Sequence, residues 1–324
     1  MLTHSRMACF RACPRRHEIA YELGIRPEST GFALRVGSAF HAALDAASKG
    51  LDVSAAMDAC TVDPFDIAMV AAMYNAHCER YSPFDYIARE ITFQPPFASG
   101  VIDGIARLDD GRLALVENKT TSRDFTPGAD YWLYLHLDQQ LSIYVIAARE
   151  LGYDVATILY DVTRRPAQRP LKATPMELRQ YTLKETRLKD GTIKPAGTLY
   201  ANQRAEDETP EEFAARIAKD ITERPDHYFA RIEIARLDQD LDDCRKEIAQ
   251  QGAAIERARQ DGAWYRNPGA CFSPYPCSYL AICQMRDLAS NTPSGFVRSA
   301  DVNPELSAHA TPGASPAELD ALNG

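Results

Sequence analysis

An α/β fold, with a mixed central β-sheet flanked by helices, follows from three stretches of the sequence taken together. Residues 99–121 hold two short apolar runs around Asp109-Asp110-Gly111, which is a hairpin pattern. Tyr131 to Leu151 reads as a long helix closed by Gly152, and Val155 to Val162 as a buried strand. A helix between a hairpin and a further strand is a crossover, which returns a strand to the sheet in parallel. The 324 residues, 45% of them hydrophobic, are ample for one large core or two small ones. No run reaches the roughly 18 apolar residues of a membrane span. Met1 to Arg6 lacks the apolar core of a signal peptide. The expected setting is cytoplasmic and reducing. There, eight cysteines point to metal ligation or packing before disulfides.

Taken in order, Ser5 to Leu23 reads as a helix carrying Cys9, Cys13 and several arginines. Arg35 to Lys49 is a second helix, with His41 near its middle and Gly50 at its end. Asp63-Pro64 opens a third, which runs to about Tyr81. Asp85 to Phe93 has strand character, and Glu90 within it reads as a surface strand residue or a further site carboxylate. After the crossover, residues 164–208 form an irregular basic insertion with a turn at Lys189-Asp190-Gly191-Thr192. Thr209-Pro210 caps a helix, with Pro at its first turn. Tyr228 to Ala235 alternates like a strand. Leu237 to Arg259 is a polar helix with an apolar stripe of Leu237, Leu241, Cys244 and Ile248, too short for a coiled coil. Cys60, Cys78 and Cys244 lie on helical patterns and read as packing. The folded domain is expected to span residues 1–288. Residues 289–324, rich in Ser, Ala, Pro, Asn and Gly, read as a disordered tail.

The hairpin carries the chemistry. A three-residue loop ending in Gly111 pairs Leu108 with Arg112. Counting back pairs Asp103 with Glu117 and Val101 with Lys119, so Asp103, Glu117 and Lys119 share one face. Opposed carboxylates repel, and burial raises the cost unless a cation compensates. Lys119 offsets one charge, whereas a divalent Mg²⁺ or Mn²⁺ offsets both. The alternative is a structural Asp/Glu/Lys network, or a slipped register that leaves one carboxylate in solvent. Further on, Gln140 and Tyr144 stand four apart on one helical face.

Net charge is -9, which does not announce a nucleic-acid binder. The distribution is uneven, because residues 161–204 hold ten Lys/Arg against four acids. The first 36 residues also lean basic. These clusters either track phosphates or are solvated surface. Cys271, Cys277 and Cys283 fall within a Pro-rich loop of 13 residues, a ligand pattern more than a core pattern. A Cys₄ site needs one more thiol, and Cys13 is the candidate.

The ordered set of His41, Asp103, Glu117-x-Lys119 and Gln140-x₃-Tyr144 resembles the PD-(D/E)XK nuclease superfamily. With Cys13-Pro14-Arg15-Arg16 it resembles more narrowly the RecB-like branch of recombination nucleases and CRISPR-associated exonucleases. The resemblance spans Ser5 to Cys283. It implies a restriction-endonuclease-like core closed by an N-/C-terminal cysteine clasp. It implies a metal-dependent DNA nuclease, acting from ends in repair, recombination or phage DNA processing, with DNA as partner. In that reading His41, Asp103, Glu117 and the Asn118 carbonyl ligate the metal, which leaves the Asn118 side chain free to vary. Lys119 stabilises developing charge, and Gln140 and Tyr144 position the substrate or Lys119. Cys13, Cys271, Cys277 and Cys283 match the layout of a [4Fe–4S] cluster. The gap from Cys271 to Cys277 is wider than in many members, so Cys9 is a possible substitute for Cys271. Zinc is the rival metal. Two other readings are a catalytically inactive nucleic-acid-binding or scaffold protein on the same fold, and a metal-cluster regulator with a merely structural hairpin.

Overall fold

The computed structural model describes residues 1–307 except Pro95, Leu188, Lys189, Asp190, Thr192 and Pro274. Helices α1 (His4–Ala12) and α2 (Pro14–His17) lead through a π turn at Glu18–Glu22 to strand β1 (Ile25–Pro27). Helices α3 (Phe32–Ser48), α4 (Val53–Asp58) and α5 (Pro64–Arg80) follow. Strands β2 (Asp85–Phe93), β3 (Gly100–Arg107) and β4 (Leu113–Thr121) come next. The crossover comprises α6 (Asp130–His136), α7 (Gln139–Glu150) and β5 (Val155–Arg164). The basic segment beyond it is mostly irregular, with two-residue strands β6 (Thr186–Arg187) and β7 (Ile193–Lys194). Of the turn expected at Lys189-Asp190-Gly191-Thr192, all but Gly191 lies outside the described residues. The chain continues with α8 (Pro210–Glu223), α9 (Pro225–Tyr228), β8 (Phe229–Ile234) and α10 (Asp238–Asp261). Strand β9 (Phe296–Arg298) and α11 (Pro304–Ser307) end the described chain.

The main sheet runs β2-β3-β4-β5-β8; β4 and β5 are parallel and the other pairs antiparallel. The mixed, helix-flanked sheet expected from the sequence is therefore the one that forms. Gly111, at φ 87°, supplies the left-handed residue that the hairpin loop needs. The β3–β4 ladder runs from Arg107–Leu113 to Gly104–Val116 in the register that the loop count requires, and ends one residue short of the expected Asp103–Glu117 pair. The next N–H, that of Asn118, donates to Asp103 Oδ2 at 2.9 Å, so the expected pairing of Val101 with Lys119 does not form. Helix α7 is buried from Leu141 through Ala148, the pattern of a helix inside a core rather than on a surface. It packs with α10 and the sheet, while α3, α5 and α8 build a second cluster around Phe40, Met73 and Phe213.

Several expectations are corrected. The N-terminal helix breaks at Cys13, which is extended at φ -166°, ψ 112°. Pro14 disfavours helical geometry in the residue before it and then starts α2 at N1. The helix expected over Tyr131–Leu151 is two helices. Asp138 takes an extended backbone and accepts the Gln140 N–H at 2.9 Å, so it starts a new helix instead of continuing the old one. Leu237 is exposed at the N-cap of α10, and Ile255 replaces it in the buried stripe. Cys78 is exposed rather than packed. The expected disorder from Ala289 does not hold over its described part, since β9 pairs antiparallel with β1. Residues 308–324 of that tail lie outside the described residues. Among the described residues no helix is long and apolar enough to cross a membrane.

Candidate active site

Strands β3 and β4 deliver Asp103, Glu117 and Lys119 to one side of the sheet, where the ladder has ended and the strands are free to part. Helix α3 crosses close enough that a Cβ on Gly37 would lie 3.0 Å from Thr120 Oγ1. That approach brings His41 Nδ1 to 3.7 Å from Asp103 Oδ2. Lys119 Nζ donates to Glu117 Oε1 and to Gln140 Oε1, both at 2.9 Å. Gln140 Nε2 in turn donates to the Tyr144 hydroxyl at 2.8 Å. The helix start created by Asp138 is what aims Gln140 at the lysine. Tyr144 is buried and packs edge-on against Phe93.

Glu117 is 2% exposed, and its second oxygen, Oε2, is buried with no hydrogen-bond partner. Burial, the nearby Lys119 and the Asp103 charge act on Glu117 in that order, and the net effect pushes its carboxyl up to about 7. Asp103 is pushed up to about 6, first by burial, against the opposing Asn118 N–H bond. Lys119 is held charged: burial disfavours its ammonium, and Glu117 and Asp103 outweigh that. Both carboxyls therefore bind protons more tightly folded than unfolded. Stability of the metal-free chain should fall as pH rises from about 4 to about 7, by on the order of a few kcal/mol. Thermal melts across that range in chelator test this, and saturating Mg²⁺ should flatten or reverse the slope. A metal-free melting temperature that climbs over the same range would contradict the assignment of buried carboxylates.

Asp103, Lys119, Gln140 and Tyr144 line a cavity of about 1180 Å³. Its far wall is α3 and α4, with Ala33, Leu34, Ala42, Ala55 and Ala59 facing the carboxylates. Thr3, His4 and Ser5 at the start of α1 also line it, as do Glu90 and Arg165. Sequence reasoning passed over Asp138, α4 and the residues of α1. Asp138 had a legible signal, an Asp placed before a helical face. Glu90 is buried and lines the site, so the surface reading of it is corrected. Asn118 is also buried, at 4% exposed.

The basic clusters are largely committed within the protein. Arg35 pairs with Asp66 at 2.7 Å, Arg164 with Asp124 at 2.8 Å and Lys172 with Asp207 at 2.9 Å. Arg6 pairs with Glu22, and Arg179 donates to the carbonyls of Thr174 and Ala205. As stripes for phosphates these segments are poorer than their composition suggested. Arg165 differs in lining the cavity.

Cys13, Cys271, Cys277 and Cys283 line one cavity of about 240 Å³, with Ile19, Tyr279 and Leu280 among its walls. The segment before the loop is tied to the N-terminus. Asn267 Nδ2 donates to the Ala12 carbonyl at 2.9 Å and the Asn267 N–H to Cys13 Sγ at 3.4 Å. Arg15 reaches the carbonyls of Cys283 and Met285 at 3.3 and 2.8 Å. Cys9 packs in a buried cluster with Ile19 and Ile25, against which Cys277 also rests. Among the described residues, no three His, Cys, Asp or Glu side chains are grouped so as to hold a single metal ion. Both arrangements are thus open ones.

A search of curated proteins finds no match to the chain. A comparison with protein-family models matches the PD-(D/E)XK nuclease superfamily over residues 1–284. That span contains the five-stranded sheet, the carboxylate–lysine site and Cys13, Cys271, Cys277 and Cys283. The chain belongs to the PD-(D/E)XK nuclease superfamily.

Proposed function

We propose that the protein is a Mg²⁺- or Mn²⁺-dependent deoxyribonuclease of the RecB-like branch, degrading DNA from its ends in repair, recombination or phage DNA processing. The observation that carries this reading is Glu117 Oε2, a buried carboxylate oxygen without a hydrogen bond, on a strand whose neighbour carries a second acid, Asp103. Buried polar atoms are normally satisfied, so such an oxygen asks for a cation. The donor set suits Mg²⁺, which keeps several waters and takes one or two carboxylates rather than a closed protein cage.

Asp103 and Glu117 hold the ion, with His41 and the Asn118 carbonyl as further donors. A divalent ion bound there supplies Lewis acidity and a water of lowered pKa. Lys119, fixed by Glu117 and Gln140, presents its ammonium to the charge that develops on the phosphate oxygens. Tyr144 locks the Gln140 amide, so the lysine is oriented before substrate arrives. The recessed cavity, poor in cations apart from Lys119 and Arg165, suits a strand end better than the middle of a duplex.

The same reading gives the four thiols a [4Fe–4S] cluster. A Cys₄ zinc site draws all its sulfurs to about 2.3 Å from one point. Here the thiols are spread around a cavity of about 240 Å³, wider than one ion needs. Thiols in such a site stay reduced in a cytoplasmic setting.

Purified protein incubated with end-labelled linear DNA and with covalently closed circles, in Mg²⁺ or in chelator, tests the activity. Linear DNA should shorten in Mg²⁺ alone while circles survive. Cut circles would make it an endonuclease. No cleavage with any divalent ion would favour the inactive scaffold.

A further inference from the structure

We propose that Glu90 joins Asp103 and Glu117 as a third carboxylate of the divalent-cation site when an ion draws the three together, since without one they are not grouped closely enough to hold it. The assignment rests on the metal-dependent reading above and extends it to a residue outside the motif.

The sheet register makes the first case. Arg89 pairs with Gly104 and Ile91 with Ile102, so Glu90 stands opposite Asp103 on the neighbouring strand. Asp103 thus has Glu90 opposite it on β2, and Glu117 lies just beyond the last β3–β4 pair. Like charges directly opposed across strands destabilise a sheet. Here three acids are brought together in one core-facing patch.

The backbone makes the second. Glu90 has φ 50°, the one positive φ outside glycine among the described residues. A side chain held in that region is strained, and it persists where surrounding structure requires it. The positive φ is the second irregularity of β2, whose register against β3 also shifts between Tyr86 and Ala88. The residue is 9% exposed and lines the cavity that also holds His41, Asp103 and Lys119.

The charge balance makes the third. Arg89, the next residue, lies within 3.6 Å of Asp45, donates to the Leu44 carbonyl at 3.2 Å and covers the Tyr86 ring. Lys119 is shared between Glu117 and Gln140. Lys119 and the Arg89 guanidinium, whose charges both act on Asp103, stand against three carboxylates, so the patch keeps net negative charge. Glu117 Oε2 adds a buried carboxylate oxygen without a hydrogen-bond partner to the same patch.

Glu90→Gln keeps the shape and removes the charge. Mn²⁺ binding to the full chain, read by calorimetry and by the metal-induced rise in melting temperature, should weaken tenfold or more. The metal-free melting temperature should hold or rise, because a repulsive charge has gone. Glu90→Asp, which keeps the charge, should retain part of the affinity and serves also if the Gln variant folds poorly. A purely structural Glu90 gives the opposite pattern: a lower metal-free melting temperature and Mn²⁺ affinity within twofold of wild type. That result overturns the assignment. A wild-type chain that takes up no Mn²⁺ overturns the metal-dependent reading itself, and Glu90 with it.

Discussion

Asp103→Asn and Lys119→Met should each lower phosphodiester cleavage by about 10³-fold or more, and their stabilities should move in opposite directions. Asp103→Asn is close to isosteric, and its amide oxygen can still accept the Asn118 N–H. It removes a carboxyl that burial has pushed up to about 6, so the metal-free protein should melt at the same or a higher temperature near pH 8. Lys119→Met is different. It strips Glu117 of the cation at 2.9 Å and leaves a buried acid without a partner. Breaking a buried ion pair in this way costs roughly 3–5 kcal/mol, unless the remaining group takes up a proton. The Lys119 side chain is 36% exposed, so the lower end of that range applies. Its stability deficit should therefore shrink as pH falls below about 7, where Glu117 protonates. Circular-dichroism melts at two pH values, with cleavage of linear DNA alongside, separate the two. Near wild-type cleavage by either variant would remove that residue from the active site.

The second large effect concerns the clasp. Cys277→Ala or Cys283→Ala should abolish the brown colour of anaerobically purified protein and its content of about four Fe per chain. The melting temperature should fall by about 10 °C or more. The physical reason is topological. Cys13 and Cys271 lie near opposite ends of the folded chain, so a group held between them closes nearly all of it into one loop. That loop restricts the unfolded state, and the metal-binding energy adds to the folding energy. Protein contacts also tie these ends, among them Asn267 to Ala12, Arg15 to Cys283, the β1–β9 pair and the packing of Ile19 and Ile25 with Tyr279 and Ile282. The mutation leaves Asp103 and Glu117 untouched, so stability and DNA binding should suffer before catalytic geometry does. One zinc per colourless chain would replace the cluster and keep the clasp. A wild-type melting temperature in the Cys277 variant would remove the clasp as well.

The parts of the site that the sequence specified are those written in short-range geometry. The three-residue loop at Asp109-Asp110-Gly111 permits one register, and that register brings Asp103 and Glu117 to adjacent strands just beyond the last pair. Two-residue alternation puts Lys119 on the same face as Glu117, and helical spacing puts Tyr144 beneath Gln140. Asp63 and Thr209 announced their helices because a cap bonds to N–H groups two or three residues away.

The tertiary structure decided what depends on distant neighbours. Whether an arginine is free for phosphate depends on which acid lies beside it, and Arg164 finds Asp124 forty residues upstream. The break at Asp138 followed from a competition between helix continuation and a side-chain cap, and the core settled it by needing Gln140 at Lys119. Glu90 looks like any strand glutamate until β2 is laid against β3, when it comes to face Asp103 with a backbone angle that no periodicity encodes. Local spacing fixes which side chains share a face. The partners that each buried charge meets there, and therefore its protonation and its use, are fixed only when strands far apart in the chain are packed together.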